Sequence, residues 1–373
     1  MLDNRKFKPK NQKRITKKTI VEENSKNYLS FDKLIYHPEK LTGFKVDKNV
    51  FPITATLSLG NYCNHGCLWC STAYWRQDDS NSIDFKKIIK WLAVAKKKGL
   101  KGVGYVGNGE PLAYKQFSSL IKKVNKLGLD QGVFTNGYLI NRFEDEILNS
   151  FTYIRVSLDA GSKEIHSTLH DVSSSHFDKI IKNLESLLIK RKNKNPTVGV
   201  QFATHQRNIF DLEKCVQISK DIGVDYVSVK PVFDRGSVHE KIEKNSLNTQ
   251  KVSKIIHKLR KYESNSFKIF FRDYQFESEN LGYNILDYDR CYAGYFGVNI
   301  YEDGVITGCG PHHIPVGDLD TNFDVLEKNI IKVSKNLDLS KCPAGCRFHP
   351  MNRLLHKLKN KDIYSKKEHF NLI

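Results

Sequence analysis

From Ile53 onward, short runs rich in β-branched and aromatic residues alternate with longer stretches in which apolar residues recur every three or four positions. Six short runs stand out, at 53–58, 102–106, 131–134, 153–158, 198–203 and 226–230. Between them, Phe85, Ile88, Ile89, Leu92 and Ala95 before Gly99, and Phe117, Leu120, Ile121 and Val124 before Gly128, mark helix faces closed by glycine. Strand, loop and helix repeated in this way predict parallel β/α units with the helices covering the outside of the sheet. The pattern suits a doubly wound sheet or an incomplete barrel, and in both, ligands bind beyond the C-terminal ends of the strands.

After residue 230 the pattern changes. A helical stretch is predicted at 249–262, then a Tyr- and Gly-rich region at 283–318 with a hairpin turning at Asp303-Gly304. The expected organisation is a basic, partly disordered extension at 1–50, an α/β unit at 51–285 and a smaller C-terminal unit at 286–373.

Composition narrows the function classes. Over 373 residues, 39% are hydrophobic and 11% aromatic, enough to build a substantial core. The net charge of +19 comes mainly from lysines spread along polar helix faces such as 85–98, with one dense basic run at 5–18. Nucleic acid is therefore not an expected partner. No window of about 18 apolar residues occurs, and the basic run lacks a signal-peptide core, so neither a membrane span nor secretion is expected. In a cytoplasmic protein, the eight cysteines read as metal ligands rather than disulfides. Cys215 is the exception: it falls on an apolar helix face with Leu212 and Ile222 and reads as packing.

Cys63, Cys67 and Cys70 follow the first strand with spacing C-x3-C-x2-C. Three thiolates this close can hold three corners of a [4Fe-4S] cubane and leave one iron open, or form a zinc site with His65 as fourth ligand. With the aromatic Trp69 directly before Cys70, the triplet resembles the signature of the radical S-adenosylmethionine (SAM) superfamily, and the resemblance covers about residues 53–230. It implies a partial (β/α)6 TIM-like barrel whose open iron binds SAM. Gly107-Asn108-Gly109-Glu110 is similar to the family's glycine-glycine-glutamate element, which receives the SAM amino group; Asn108 stands where many members carry the second glycine. By the same resemblance Ser157 would contact the SAM ribose, with Asp159 beside it.

Period-2 alternation puts Arg155, Ser157 and Asp159 on one face, Gln201 and His205 on another strand's inner face, and Ser228 and Lys230 on a third. Polar groups facing a barrel interior are costly unless partnered, so they mark a cavity. Trp69 and Lys230 are counted with the cofactor-binding groups, and Arg155 and His205 are expected to bind an anionic substrate or take up a proton.

Cys291, Cys309, Cys342 and Cys346 make a second set, which by spacing alone suits zinc or a closed iron–sulfur cluster equally. The stretch from Cys291 to Cys309 resembles the auxiliary-cluster domain of SPASM and twitch members, implying a small C-terminal domain with one further [4Fe-4S] cluster. His312 and His313 beside Cys309 are expected either to surround that cluster or to lie in a solvated loop. The resemblance implies reductive SAM cleavage to a 5'-deoxyadenosyl radical, with an external electron donor such as flavodoxin or ferredoxin. A fully ligated second cluster favours net oxidation of a small polar molecule such as a sugar, cyclitol or nucleotide derivative. Modification of a ribosomally made peptide is the alternative, and a non-enzymatic zinc protein binding nucleic acid through residues 5–18 is a third.

Overall fold

The computed structural model describes residues 31–48, 51–73, 81–233, 242–281 and 286–360; the basic run at 5–18 lies outside them. Each of the six predicted runs forms a strand: β1 (Thr54–Leu57), β2 (Gly102–Tyr105), β3 (Asp130–Thr135), β4 (Tyr153–Ser157), β5 (Thr197–Thr204) and β6 (Tyr226–Pro231). Successive strands pair in parallel from β1 to β6.

The connecting helices form where periodicity and capping agree. In helix α2 (Phe85–Lys98), the Asp84 side chain accepts from Lys87 N at 2.8 Å, and Gly99 ends the helix at φ +115°. Its buried stripe is Ile88, Trp91, Leu92 and Ala95, at the spacing one helix face requires. Helix α3 (Phe117–Lys126) buries all four residues that the sequence places on its apolar face.

The structure departs from expectation in three places. A seventh parallel strand, β7 (Lys268–Phe271), which is not among the six runs, pairs with β6. The C-terminal strands β8 (Gly297–Ile300), β9 (Val305–Thr307) and β10 (Pro315–Asp318) join the other edge of the same sheet. β8 lies parallel to β1, and β9 and β10 continue antiparallel, giving ten strands in the order β10-β9-β8-β1-β2-β3-β4-β5-β6-β7. The hairpin turns at Asp303-Gly304 as read, with Gly304 at φ +88°. One hydrophobic core runs across the expected boundary at 286, so the C-terminal strands extend the barrel sheet.

Third, the described part of the expected extension is packed into the core. Helix α1 (Pro38–Lys45) buries Phe44 completely, edge-on to Tyr292 at 5.0 Å and Tyr295 at 5.6 Å. Lys359, at the end of helix α11 (His349–Lys359), donates to Phe44 O at 3.2 Å and to Asp47 at 2.7 Å. Among the described residues no helix is long and apolar enough to cross a membrane. Phe44→Ala is expected to cost about 3–5 kcal/mol, as aromatic deletions in a packed core do, read as a lower midpoint in urea unfolding of the full chain.

Candidate active site

The cysteine loop 63–70 leaves the C-terminal end of β1 and docks on the end of helix α5 (Lys163–His170). Gly66 N donates to His170 O, and Leu68 N to Leu169 O, each at 2.9 Å, so carbonyls that a helix end leaves unpaired hold the loop. At Gly66 a Cβ would stand 2.7 Å from Asp171 Oδ2, so a larger residue there would displace the Asp171 side chain. Cys63, Cys67 and Cys70 are free thiols, each partly exposed.

Two polar links tie this loop to the end of β2. Cys70 Sγ lies 3.3 Å from Thr72 Oγ1, which donates to Asn108 O at 3.4 Å. Asn136, after β3, approaches Cys63 Sγ at 4.0 Å through Nδ2, while its backbone N donates to Glu110 Oε2 at 2.9 Å. Glu110 Oε1 also accepts from Thr135 Oγ1 at 2.6 Å and Leu112 N at 3.1 Å. Burial pushes the Glu110 carboxyl above its usual range, with the three hydrogen bonds pulling the other way.

The flanking glycines are fixed by space. A Cβ on Gly107 would lie 2.5 Å from Ser58 Oγ, and one on Gly109 would run into Tyr62 O and stand 2.7 Å from Gly60 O. Asn108 carries a side chain because it points elsewhere: Nδ2 donates to Glu302 Oε1 at 2.9 Å, and Glu302 also accepts from Ser58 Oγ at 2.7 Å. Glu302, in the C-terminal hairpin, thus braces both loops. Only the pairing of β8 with β1 brings it there, and no local pattern marks it.

Arg155 and Ser157 share the half-exposed face of β4, while Ile154 and Val156 are buried on the other side, as the alternation requires. The Arg155 guanidinium lies 4.1 Å over the Phe134 ring, and its Nε has no hydrogen-bond partner among the described residues. Burial, then the charges of Arg272 and Arg347, pushes its pKa below the usual arginine range. Arg347 is exposed, and its guanidinium lies 4.5 Å over the Phe348 ring. Arg155, Arg272 and Arg347 form no ion pair among the described residues. Sequence reasoning missed Arg272 and Arg347, which enter from β7 and the C-terminal segment. Lys230, on β6, lies 5.7 Å from the Phe233 ring.

Asp159 and His205 turn out differently from expectation. Asp159 follows β4 at φ +57°; its Oδ1 accepts from Ala203 N at 2.6 Å and its Oδ2 lies 3.5 Å from His170 Nε2. Its carboxylate is therefore spent on the end of β5 and on α5. His205 is fully buried, with Nε2 3.0 Å from Glu243 O and Nδ1 accepting from Arg207 N at 3.3 Å. Both ring nitrogens are engaged, so His205 ties β5 to the segment at 242–247 and is no free proton acceptor. Trp69 packs with Ala203, Val232 and Ile242, 6.1 Å from the His205 ring. Cys215 is fully buried, as read.

The second cysteine set converges. The Cys342 thiol is pushed up to about 12 by burial and then by Cys346, Cys291 and Cys309, so all four sulfurs feel one another. Asn352 Nδ2 donates to Cys291 Sγ at 3.4 Å, and His312 Nε2 lies 3.3 Å from Cys342 Sγ. His313 instead packs on Tyr301 at 4.8 Å between centroids.

Both thiol sets suit iron and sulfide: free sulfurs with amide or imidazole donors beside them, and a glycine-lined approach next to the first. Among the described residues, the set of three or more metal-ligating groups with ligand atoms within 4.8 Å of one another is His65, His166 and His170.

The sequence model of the radical SAM superfamily matches residues 57–211, the stretch from β1 to the start of helix α7 (Leu212–Asp221). The chain carries a radical SAM domain. A tungsten-containing aldehyde ferredoxin oxidoreductase cofactor-modifying protein of Pyrococcus furiosus is 26% identical over 46% of this chain and 49% of its own length. The sporulation killing factor maturation protein SkfB of Bacillus subtilis is 22% identical over 72% of this chain and 62% of its own. The chain thus spans about half to three-fifths of these relatives' lengths. Streptococcus suis SuiB, solved with the precursor peptide SuiA, shares the fold at TM-score 0.61 and 18% identity, over 83% of this chain and 71% of SuiB. Members of the superfamily use a [4Fe-4S] cluster and SAM, and Cys63, Cys67 and Cys70 lie within the matched residues.

Gly109→Ala is expected to destabilise the radical SAM domain by about 1–3 kcal/mol, the usual cost of overpacking, and to reduce bound iron. Melting temperature and iron content of the anaerobically purified variant check this.

Proposed function

We propose that the chain is a radical SAM enzyme that removes hydrogen from a small polar substrate carrying a negative charge, with net oxidation or rearrangement as the outcome. The observation that carries the substrate class is the Arg155 guanidinium, whose Nε has no hydrogen-bond partner among the described residues and whose pKa burial, then the charges of Arg272 and Arg347, holds below the usual arginine range. Like charges are held together at such cost where an anion completes the site. Phosphate or carboxylate groups on a sugar, cyclitol or nucleotide fit that demand.

Cys63, Cys67 and Cys70 hold the first cluster in this reading, and Cys291, Cys309, Cys342 and Cys346 the second. With a cluster and SAM in place, such a site supplies one-electron cleavage of the sulfonium carbon–sulfur bond and a carbon radical that takes hydrogen from the substrate. The protein's own residues do the rest. Gly107 and Gly109 let backbone approach the amino-acid end of SAM, Ser157 faces its ribose, and Trp69 and Lys230 flank the mouth. Asn352 and His312 donate to the second set of thiolates, which makes electron uptake there easier and favours net oxidation. The electron that starts the reaction comes from an external carrier such as flavodoxin or ferredoxin.

Peptide maturation is the second reading, and its support is the SkfB relative, whose match extends across 72% of this chain. A substrate screen separates the two, since Arg155→Met should weaken binding of an anionic small molecule about 10- to 100-fold, the worth of a charged hydrogen bond. Uncoupled SAM cleavage should be unchanged by that substitution. A peptide substrate indifferent to it would reverse the ranking.

After anaerobic reconstitution, about eight irons per chain and formation of 5'-deoxyadenosine from SAM are expected. Cys63→Ala should abolish cleavage. Cys291→Ala should lower iron to about four per chain while cleavage persists; loss of iron from neither variant would defeat the two-cluster reading.

A further inference from the structure

Behind the cysteine loop lies a group of imidazoles that the proposed chemistry does not use. His166 and His170 stand one turn apart on α5, the spacing that puts two ligands on one helix face. His65 reaches them from the cysteine loop, and His176, on helix α6 (Ser175–Lys190), stands beside His65. His65, His166 and His170 are all buried, at 3%, 0% and 1% exposure.

We propose that His65, His166 and His170 form a site for one divalent transition-metal ion of the zinc class, which clamps the cysteine loop onto α5 and abuts Cys67, whose Sγ lies 3.3 Å from His170 Nδ1. Two ligand nitrogens on a tetrahedral ion with bonds of 2.0–2.1 Å stand about 3.3 Å apart. His65 Nδ1 and His170 Nδ1 are 3.2 Å apart, and one ligand atom from each of the three histidines falls within 4.8 Å of the others.

The outer groups match as well. A ligating histidine usually gives its other N–H to a carboxylate or another acceptor. His170 Nε2 faces Asp159 Oδ2 at 3.5 Å, and His65 Nε2 faces His176 Nδ1 at 3.3 Å. His166 supplies the second, independent sign. It is completely buried, stacked on His170 at 4.2 Å, and neither of its ring nitrogens has a hydrogen-bond partner among the described residues. An imidazole always has one lone pair or N–H more than such a setting satisfies, and a metal ion takes up that lone pair.

Metal analysis of the cluster-loaded full chain tests this. We expect about one zinc per chain beside the iron, falling below about one tenth in His166→Asn with the iron count unchanged. His257→Asn, at an exposed position, should keep its zinc. A second variant guards against misfolding and against failure of the two-cluster reading. In the chain carrying C63A, C67A and C70A, loaded with zinc alone and treated with methyl methanethiosulfonate, thiolate-bound zinc is released and imidazole-bound zinc stays. About one equivalent should remain there, and none when H65N is added. No zinc surviving thiol modification, or equal zinc with and without His65 or His166, would overturn the site.

Discussion

Two backbone loops meet at the C-terminal ends of β1 and β2 with no room for a methyl group at Gly107 or Gly109, and the rest of the site depends on that contact. Because the loops touch, the Cys63–Cys70 stretch sits against the glycine-rich turn. Glu110 secures the turn from below through Thr135 and Asn136, so the end of β3 shares in the arrangement. Each component is a short-range backbone approach, which glycine permits and any larger residue forbids.

The C-terminal region closes this arrangement from the other edge of the sheet. Pairing of β8 with β1 carries Glu302 to Ser58 and Asn108, and Cys291 packs against the same continuous core. Phe44 of α1, wedged against Tyr292 and Tyr295, adds a third layer behind that hairpin. The expected N-terminal extension, barrel and auxiliary unit are therefore mechanically joined where they are described. A shift in the hairpin would be felt at the glycine-rich turn through a buried carboxylate rather than through solvent.

The barrel interior shows two kinds of polar residue. Some are satisfied by protein: Asp159 by Ala203 N, His205 by the segment at 242–247 and the chain after it, Glu110 by three donors. Arg155 is of the other kind: its Nε has no hydrogen-bond partner among the described residues. The distinction separates packing from recognition, and it moved His205 from the second class to the first.

Much was legible in the sequence because its causes are local. Strand and helix positions follow from period-2 and period-3.6 burial, caps from Asp84, Gly99 and Gly128, and the cysteine triplet from a spacing that one loop must satisfy by itself. The alternation along β4 correctly set Arg155 and Ser157 against Ile154 and Val156. What escaped depends on contacts between residues far apart in the chain: β7 and the attachment of β8 to β1, the Glu302 brace at 244 and 194 residues from its partners, the approach of Arg272 and Arg347 to Arg155, and the meeting of His65 with His166 and His170 about 100 residues away. The His166–His170 spacing was visible, but nothing local says that a third histidine faces it. Asp159 shares the strand's parity yet turns away at positive φ, since its carboxylate is claimed by Ala203 N on the neighbouring strand. The sequence by itself determined which elements form and which loop carries the first cysteines, because those are properties of neighbouring residues; tertiary structure alone decided which polar groups are already partnered and which still face an opening, because that depends on what other strands bring.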